Sequence, residues 1–252
     1  MRTVLYLAAM VWATFWYGGK CIVGALAGIK HVPGGWYDRA NQRWGAAILR
    51  ASGVTGTVEG HEHLLAGVPC IVASNHASWF DILALLAWLP VTVKFVSKKE
   101  IFRIPFLGQA MRAAGHVSLD RANPKEAFAV YATAAKQIVE QRLAVLIFPE
   151  GTRTRTGALQ SFKKGPFVLA IQAGAPVVPV YIANTFGIQP KGSIRVHPRP
   201  IRIFVGPPIE TRGLTVEDRD TLTERVREAI AALARPGAGS GPTDPLPGRA
   251  LI

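Results

Sequence analysis

Five short apolar runs, separated by helical stretches and bounded by turn residues, constrain the fold of this chain more than any other feature. Apolar and partly β-branched runs of this length are typical of strands buried inside a sheet. Strands that alternate with helices favour a sheet covered by helices on its faces. We therefore predict an α/β fold with a mixed, mostly parallel sheet. The predicted strands are Cys70–Ser74, Thr92–Ser97, Ala144–Phe148, Val177–Ala183 and Ile201–Val205.

Helix-start signals mark two of the remaining segments. The run Asn123-Pro124-Lys125-Glu126 places an N-cap residue, a first-turn proline and a glutamate in sequence, which predicts a helix to about Arg142. Thr215, with Asp218 three residues later, opens a final amphipathic helix. Beyond it, the chain is rich in Pro, Gly and Ser, which indicates a flexible tail. The predicted divisions are a membrane-associating segment (1–37), an α/β domain (38–235) and the tail (236–252).

The N-terminal segment is strongly apolar. Thr3 to Gly19 contains no charged residue, and its aromatic residues cluster near the end of the run, as interfacial anchors do. As a helix this run is about 25 Å long, marginal for a hydrocarbon core of about 30 Å. We favour a helix, or a helix pair broken at Gly18-Gly19, that lies in the membrane interface. A spanning helix and a cleaved signal peptide ending near Ala25-Leu26-Ala27 are the alternatives.

The charge of the chain is strongly unbalanced. It has 29 Lys and Arg against 16 Asp and Glu, a net charge of +13, although only 18% of its residues are charged. Such an excess predicts an anionic partner: nucleic acid, an anionic membrane or a phosphorylated substrate. The basic residues are interleaved with Gly, Pro and apolar residues instead of forming a terminal run. We therefore expect a basic cleft or a surface facing an anionic membrane, and no nucleic-acid partner.

A histidine and an aspartate follow the first predicted strand, in the segment Asn75-His76-Ala77-Ser78-Trp79-Phe80-Asp81. The strand delivers His76 to the carboxyl edge of the sheet, where α/β proteins place their ligands. Positions five apart do not share a helix face, so the two side chains meet only if His76 lies in the turn and Asp81 in the first helical turn. A carboxylate on one ring nitrogen would leave the other nitrogen free as a base. The alternative is a turn histidine beside a solvated aspartate.

Two further segments place basic residues at strand ends. Phe148-Pro149-Glu150-Gly151-Thr152-Arg153 ends a predicted strand in a tight turn, and arginine suits bidentate phosphate binding. Lys98 ends another strand, and Arg121 follows a short apolar segment, His116–Leu119. The alternative for both segments is ordinary turn chemistry with solvated charges.

Together, and in this order, these segments resemble the glycerolipid acyltransferase family, and within it the 1-acylglycerol-3-phosphate acyltransferases. The resemblance covers about residues 65–185. It consists of the NHxxxxD box at Asn75–Asp81, the block from Lys98 to Arg121, the FPEGTR box at Phe148–Arg153 and the closing Val178-Pro179-Val180. The chain departs from the family pattern at Thr154, where Ser is common, and at His116, where the residue is usually apolar or small.

The resemblance implies transfer of an acyl group from acyl-CoA or acyl carrier protein to the 2-hydroxyl of lysophosphatidic acid, giving phosphatidic acid. It implies that His76 is the general base and that Asp81 orients it. Direct transfer would require no metal, no cofactor and no acyl-enzyme, and backbone amides or a basic side chain would stabilise the oxyanion. The implied substrate-binding residues are Lys98, Arg121, Glu150, Gly151, Thr152 and Arg153.

Two other functions stay open on the sequence. The same residues could act on another acceptor, such as a lyso-ornithine lipid, another lysophospholipid or glycerol 3-phosphate, because motifs do not determine the shape of the acceptor pocket. The other alternative is a non-catalytic basic protein at the membrane surface.

The two cysteines indicate a reducing compartment. Cys21 and Cys70 are too few for a disulfide framework or a thiolate metal site, and Cys70 lies in an apolar run. Combined with the apolar N-terminus, this predicts peripheral or monotopic attachment to the cytoplasmic face of the cell membrane.

Overall fold

A computed structural model describes residues 2–119 and 124–234, with the backbone alone at 98, 119 and 124–130. Short 3₁₀ turns lie at His61–His63 and Val216–Asp218. The helices are α1 Arg2–Leu26, α2 Trp36–Ser52, α3 Trp79–Trp88, α4 Lys99–Phe102, α5 Leu107–Ala113, α6 Pro124–Glu140, α7 Gly165–Ala173, α8 Thr185–Ile188 and α9 Arg219–Leu233. The strands are β1 Gly56–Glu59, β2 Cys70–Ser74, β3 Val93–Lys98, β4 Val117–Leu119, β5 Ala144–Ile147, β6 Val177–Ala183 and β7 Ile201–Val205.

Within the described residues, seven strands form one sheet in the order β1-β7-β6-β2-β5-β3-β4. The five strands from β6 to β4 run parallel, whereas β7 pairs antiparallel with β6 and parallel with β1. The predicted mixed, mostly parallel sheet is therefore confirmed. Because parallel strands end at the same edge, the carboxyl ends of β2, β3, β4, β5 and β6 meet at one edge of the sheet.

The predicted strands agree closely with the structure. Strands β2, β6 and β7 have the predicted bounds, β5 ends one residue earlier, and β3 is shifted by one residue. Strands β1 and β4, which lie at the two edges of the sheet, were not predicted from the sequence. Each is short, with four and three residues, so its place depends on pairing with a distant strand.

Helices cover both faces of the sheet. Side chains of β2 point alternately to the two faces, and all five of its residues are buried. On one face, Val72 belongs to a core shared with α1, α2 and α3, represented by Ile48 and Leu83. On the other face, Ile71 packs with side chains of α6, α7 and α9. Burial on both faces explains why β2 is uniformly apolar.

Helix α1 is a single helix through Gly18-Gly19, where the sequence left open a break into two. A Cβ on Gly18 would come within 3.0 Å of the Phe106 ring and 3.1 Å of Ala110. Glycine at this position therefore lets α5 approach α1 closely, and this packing outweighs the low helix propensity of glycine. Among the described residues, no helix combines the length and apolarity needed to cross a membrane.

The helix starts predicted from capping signals are also present. Helix α6 begins at Pro124 and ends at Glu140, although Asn123 lies outside the described residues. Thr215 and Asp218 form a capping box, in which Thr215 N donates to the Asp218 carboxylate (2.7 Å), but this box opens the 3₁₀ turn Val216–Asp218, and α9 begins after that turn at Arg219. The predicted boundary between residues 37 and 38 falls inside α2, which packs against α1 and α3. The three divisions stay a prediction, and 236–252 lies outside the described residues.

A buried ion pair joins α2 to the sheet. The Lys94 ammonium donates to Asp38 Oδ1 (2.8 Å) and to the Ala114 carbonyl (2.9 Å), which ties β3 to α2 and to the end of α5. His116 lies beside this pair, where its Nδ1 accepts a hydrogen bond from Phe95 N (3.1 Å). Burial and the nearby Lys94 lower the pKa of His116 to about 3. This unusual histidine is therefore a neutral hydrogen-bond acceptor that supports β3.

Candidate active site

The start of helix α3 fixes the position of Asp81. Ser78 is the N-cap, and its hydroxyl accepts a hydrogen bond from Phe80 N (3.3 Å). Asp81 is the third residue of the helix, and its Oδ2 accepts from Ser78 N (2.8 Å), which completes a capping box. Local capping chemistry thus turns the Asp81 carboxylate back toward the loop that follows β2.

His76 and Asp81 meet in that loop. His76 Nδ1 lies 2.8 Å from Asp81 Oδ2, and the same oxygen accepts from Ala77 N (2.6 Å). Because an ionised carboxylate only accepts hydrogen bonds, Nδ1 carries the proton and Nε2 keeps a free lone pair. The Asp81 side chain is 0% exposed, whereas His76 is 14% exposed. The predicted contact between the two side chains is therefore present, and the imidazole is open to a substrate.

The His76 ring is held from its other side by the turn after β5. It stacks on Phe148 with ring centroids 3.9 Å apart. Thr154 N donates to the His76 carbonyl (2.9 Å), so the backbones of the two loops are hydrogen-bonded to each other. Gly151 adopts φ +73° in this turn, a conformation that favours glycine, and its N–H donates to the Phe148 carbonyl (2.9 Å). Thr154, one of the two departures from the family pattern, is buried where these two loops meet.

Glu150 organises the two loops from the inside. One carboxylate oxygen accepts from His76 N (2.7 Å), and the other accepts from Gln160 Nε2 (2.8 Å) and Gln160 N (3.2 Å). Burial raises the pKa of Glu150, while the hydrogen bonds from His76 and Gln160 oppose that change. The family resemblance implies that Glu150 shapes the substrate pocket, and in this structure its carboxylate accepts from protein donors. A role in substrate binding through the shape of the loop stays a prediction.

Gln160 was missed by the sequence analysis. Its Nε2 also donates to the Thr152 carbonyl (3.0 Å), so one side chain bridges both ends of the Glu150–Thr152 turn. An uncharged glutamine in a loop rich in Gly, Thr and basic residues carries no chemical signature. Only the long-range contacts of the folded chain reveal it.

Arg153 presents a free guanidinium at this edge. The group lies over the exposed Trp79 ring, 5.3 Å from its centroid, and forms no ion pair within the described part of the chain. The stack restricts the side chain without using its N–H donors. Thr152, its neighbour, is exposed, and its hydroxyl accepts from the Lys191 ammonium (2.8 Å).

Asn75, the residue before His76, joins two strands of the sheet. Its Nδ2 donates to the Ile182 carbonyl (3.0 Å), and its Oδ1 accepts from Ile182 N (2.8 Å). The amide therefore acts as a short bridge between the end of β2 and β6, and it anchors the loop that carries His76. Only a side chain with both a donor and an acceptor can replace this pair of contacts.

The remaining predicted residues are placed as follows. Lys98 is the last residue of β3 and lies at the same edge of the sheet, whereas Arg121 lies outside the described residues. Cys70 is buried at the start of β2, and burial raises the pKa of its thiol to about 12, which fits a core residue. No group of three or more His, Cys, Asp or Glu side chains that could hold a metal occurs among residues 2–119 and 124–234.

The fold and these two interlocked loops are those of an α/β acyltransferase domain. Residues 56–183 match the sequence model of the Acyltransferase family, and the chain belongs to this family.

Similar proteins carry more specific names. The 1-acyl-sn-glycerol-3-phosphate acyltransferase of Limnanthes douglasii is 36% identical over 184 residues, which are 73% of this chain and 65% of the relative. The human 1-acyl-sn-glycerol-3-phosphate acyltransferase alpha is 33% identical over 183 residues, again 73% and 65%. The chain thus spans slightly less than two thirds of the length of these relatives. The mouse alpha enzyme is 32% identical over 203 residues, with 79% and 71% covered.

A solved structure is similar over almost the whole chain. It is the crystal structure of the 1-acyl-sn-glycerophosphate acyltransferase PlsC from Thermotoga maritima, with a TM-score of 0.72 and 25% sequence identity. The superposition covers 93% of this chain and 99% of that protein. The similarity therefore includes the arrangement of helices around the sheet as well as the matched central segment.

Proposed function

We propose that this chain is a 1-acylglycerol-3-phosphate acyltransferase. It would move a fatty acyl group from acyl-CoA or acyl carrier protein to the 2-hydroxyl of lysophosphatidic acid, giving phosphatidic acid. The observation that supports this most strongly is the buried Asp81 carboxylate hydrogen-bonded to His76, directly beside the turn that carries Arg153. The names of the relatives and of the similar crystal structure support the same acceptor.

In this mechanism His76 is the general base. Its Nε2 takes the proton of the acceptor hydroxyl as the oxygen attacks the thioester carbonyl carbon. Asp81 keeps Nδ1 protonated and stabilises the imidazolium that forms. The C–O bond forms, the C–S bond breaks, and the imidazolium returns its proton to the departing thiolate. The alcohol attacks directly, so no acyl-enzyme is required.

The acceptor phosphate would bind at the Thr152–Arg153 turn. Arg153 has a guanidinium without a carboxylate partner among the described residues, and arginine binds phosphate through two parallel N–H donors. Lys98, at the end of β3, is proposed to supply a second cation at the same edge. Arg121 is proposed to contribute to substrate binding, as the family resemblance implies.

Replacing Arg153 with alanine is expected to raise the KM for lysophosphatidic acid about 10- to 100-fold, because a charge-assisted hydrogen bond contributes about 1.5–3 kcal/mol. The measurement is steady-state thiol release in mixed micelles, with lysophosphatidic acid varied at a fixed acyl-CoA concentration. Arg155→Ala is the matched control, since Arg155 is exposed, carries the same charge and lies two residues away. Equal KM values for Arg153→Ala and the wild type would contradict the phosphate assignment.

We also propose that α1 attaches the enzyme to an anionic membrane surface. The helix leaves a row of large apolar side chains exposed, including Trp12 (56%) and Trp16 (53%), and the Lys20 ammonium lies 5.0 Å from the Trp16 ring centroid. Near the start of the helix, its buried Tyr6 ring stacks on Phe80 of α3, the residue before Asp81, with ring centroids 5.4 Å apart. Attachment through α1 would therefore hold the catalytic edge near its lipid substrates.

Changing Trp12 and Trp16 together to serine is expected to lower the vesicle partition coefficient at least about tenfold, since each large apolar side chain contributes about 1.5–3 kcal/mol when buried. Flotation with vesicles that contain an anionic phospholipid measures this coefficient. The double variant Leu65→Ser/Val139→Ser is the control, because both side chains are exposed and apolar but lie outside α1. If both double variants float equally well, α1 is not the attachment surface.

A further inference from the structure

The connection between β6 and β7, residues 184–200, crosses the sheet edge that carries the candidate active site. It contains Lys191, Arg195 and Arg199 and no acidic residue. It also lies beyond residues 56–183, the part of the chain that matches the family model. Any role of its basic residues is therefore not contained in the family motifs.

The first half of this connection is fixed to the start of α3. Ser78 Oγ, which caps that helix, donates to the Gln189 carbonyl (2.8 Å), and the Gln189 residue is buried. Ile188 of α8 is fully buried, and its carbonyl accepts from His197 N (2.9 Å). The backbone just before Lys191 is thus held by the same capping residue that positions Asp81.

The side chain of Lys191 reaches the turn proposed to bind phosphate. Its Nζ donates to Thr152 Oγ1 (2.8 Å), and Thr152 directly precedes Arg153. On the other side, Arg153 lies over Trp79, the residue that follows Ser78. Trp79 and Arg153, which stack on each other, therefore each follow a residue that contacts this connection: Ser78 contacts Gln189, and Thr152 contacts Lys191.

Neither cation at this turn is neutralised by a carboxylate of the described residues. Among the residues that the structure describes, Lys191 and Arg153 form no ion pair. Two cations held at one turn by contacts to a hydroxyl and an aromatic ring keep their charge available for an anion. A phosphate monoester, with a charge of about −1.5 to −2 at pH 7, offers more charge and more oxygen acceptors than a phosphodiester.

We propose that Lys191 binds the phosphate monoester of the acceptor lipid, together with Thr152 and Arg153, and that it helps to select a monoester over a diester. This inference rests on the proposed function, because it assigns the anion to the lysophosphatidic acid acceptor. Lys191 would supply a flexible point charge, whereas Arg153 supplies the oriented donors.

The test compares the full-length, detergent-purified protein with Lys191→Ala, Lys191→Arg and Arg195→Ala. Arg195→Ala is the matched control, since it removes one positive charge from the same connection. Calorimetric titration with lysophosphatidic acid, and with lysophosphatidylglycerol of the same acyl chain, gives Kd in neutral micelles. We expect Lys191→Ala to weaken lysophosphatidic acid binding about tenfold, while lysophosphatidylglycerol binding changes less than about twofold. Lys191→Arg should keep affinity within about threefold, and Arg195→Ala within about twofold.

Three results would overturn the role of Lys191: unchanged lysophosphatidic acid binding in Lys191→Ala, an equal loss in Arg195→Ala, or an equal loss for the monoester and the diester. A wild-type protein that binds neither lipid would also overturn it. Turnover separates this inference from the proposed function. If the wild type transfers an acyl group to lysophosphatidic acid and Lys191→Ala binds this lipid normally, only the role of Lys191 is contradicted. If the protein binds the monoester through Lys191 but transfers no acyl group, only the proposed function is contradicted.

Discussion

Replacing His76 with alanine is expected to lower kcat about 10²- to 10⁴-fold, the range that a general base contributes. The imidazole, which is 14% exposed, accepts no hydrogen bond at Nε2 from the described residues, so its loss should leave the fold intact. Thiol release at saturating lysophosphatidic acid and acyl-CoA measures kcat, and thermal unfolding measures the stability of the variant.

His61→Ala provides the matched control for this loss. His61 is an exposed histidine that precedes β2, at the opposite end of that strand from His76. The His61→Ala enzyme should turn over at the wild-type rate. A His76→Ala enzyme that keeps kcat within a few-fold of the wild type would exclude His76 as the base, even if the acyl transfer itself is confirmed.

Two substitutions of Asp81 are expected to separate its effect on catalysis from its effect on stability. In Asp81→Asn an amide oxygen at the Oδ2 position can still accept from Ala77 N, Ser78 N and His76 Nδ1, but it carries no negative charge to stabilise the imidazolium. We therefore expect kcat to fall about 10²- to 10⁴-fold with a small change in the free energy of unfolding. Asp81→Ala leaves both buried N–H groups without a partner and should also destabilise the fold by about 2–5 kcal/mol.

The two Asp81 variants are compared by urea unfolding and by kcat at saturating substrates. Asp220→Asn is the control, because the Asp220 carboxylate is exposed and forms only surface ion pairs with Lys164 and Arg219. It should match the wild type in both measurements. Wild-type kcat in Asp81→Asn would show that the carboxylate does not support the imidazole.

The strands that the sequence predicted best are those buried on both faces. Strand β2 is uniformly apolar because helices cover both of its sides, so its bounds can be located without knowing its partners. The sequence made the contact between His76 and Asp81 conditional on His76 lying in the turn and Asp81 in the first helical turn, and the capping box at Ser78 meets that condition.

The rest of the site depends on contacts between distant parts of the chain. Asn75 binds Ile182, 107 positions away, and Gln160 binds Glu150 in a loop without regular structure. An exposed lysine such as Lys191 is indistinguishable in sequence from any solvated surface residue, and only the fold brings its ammonium to Thr152. Helix α2 was missed for a similar reason, because it buries Asp38 and Asn41, residues that are usually exposed.

The central claim is direct acyl transfer to the 2-hydroxyl of lysophosphatidic acid. It is tested most directly by incubating the purified full-length protein with lysophosphatidic acid and an acyl-CoA or acylated carrier protein, then quantifying free thiol and lipid product together. We expect one phosphatidic acid to form for each thiol released, and no thiol release without an acceptor. Failure to form phosphatidic acid with either donor, or preferential acylation of a different lysophospholipid or of glycerol 3-phosphate, would contradict it.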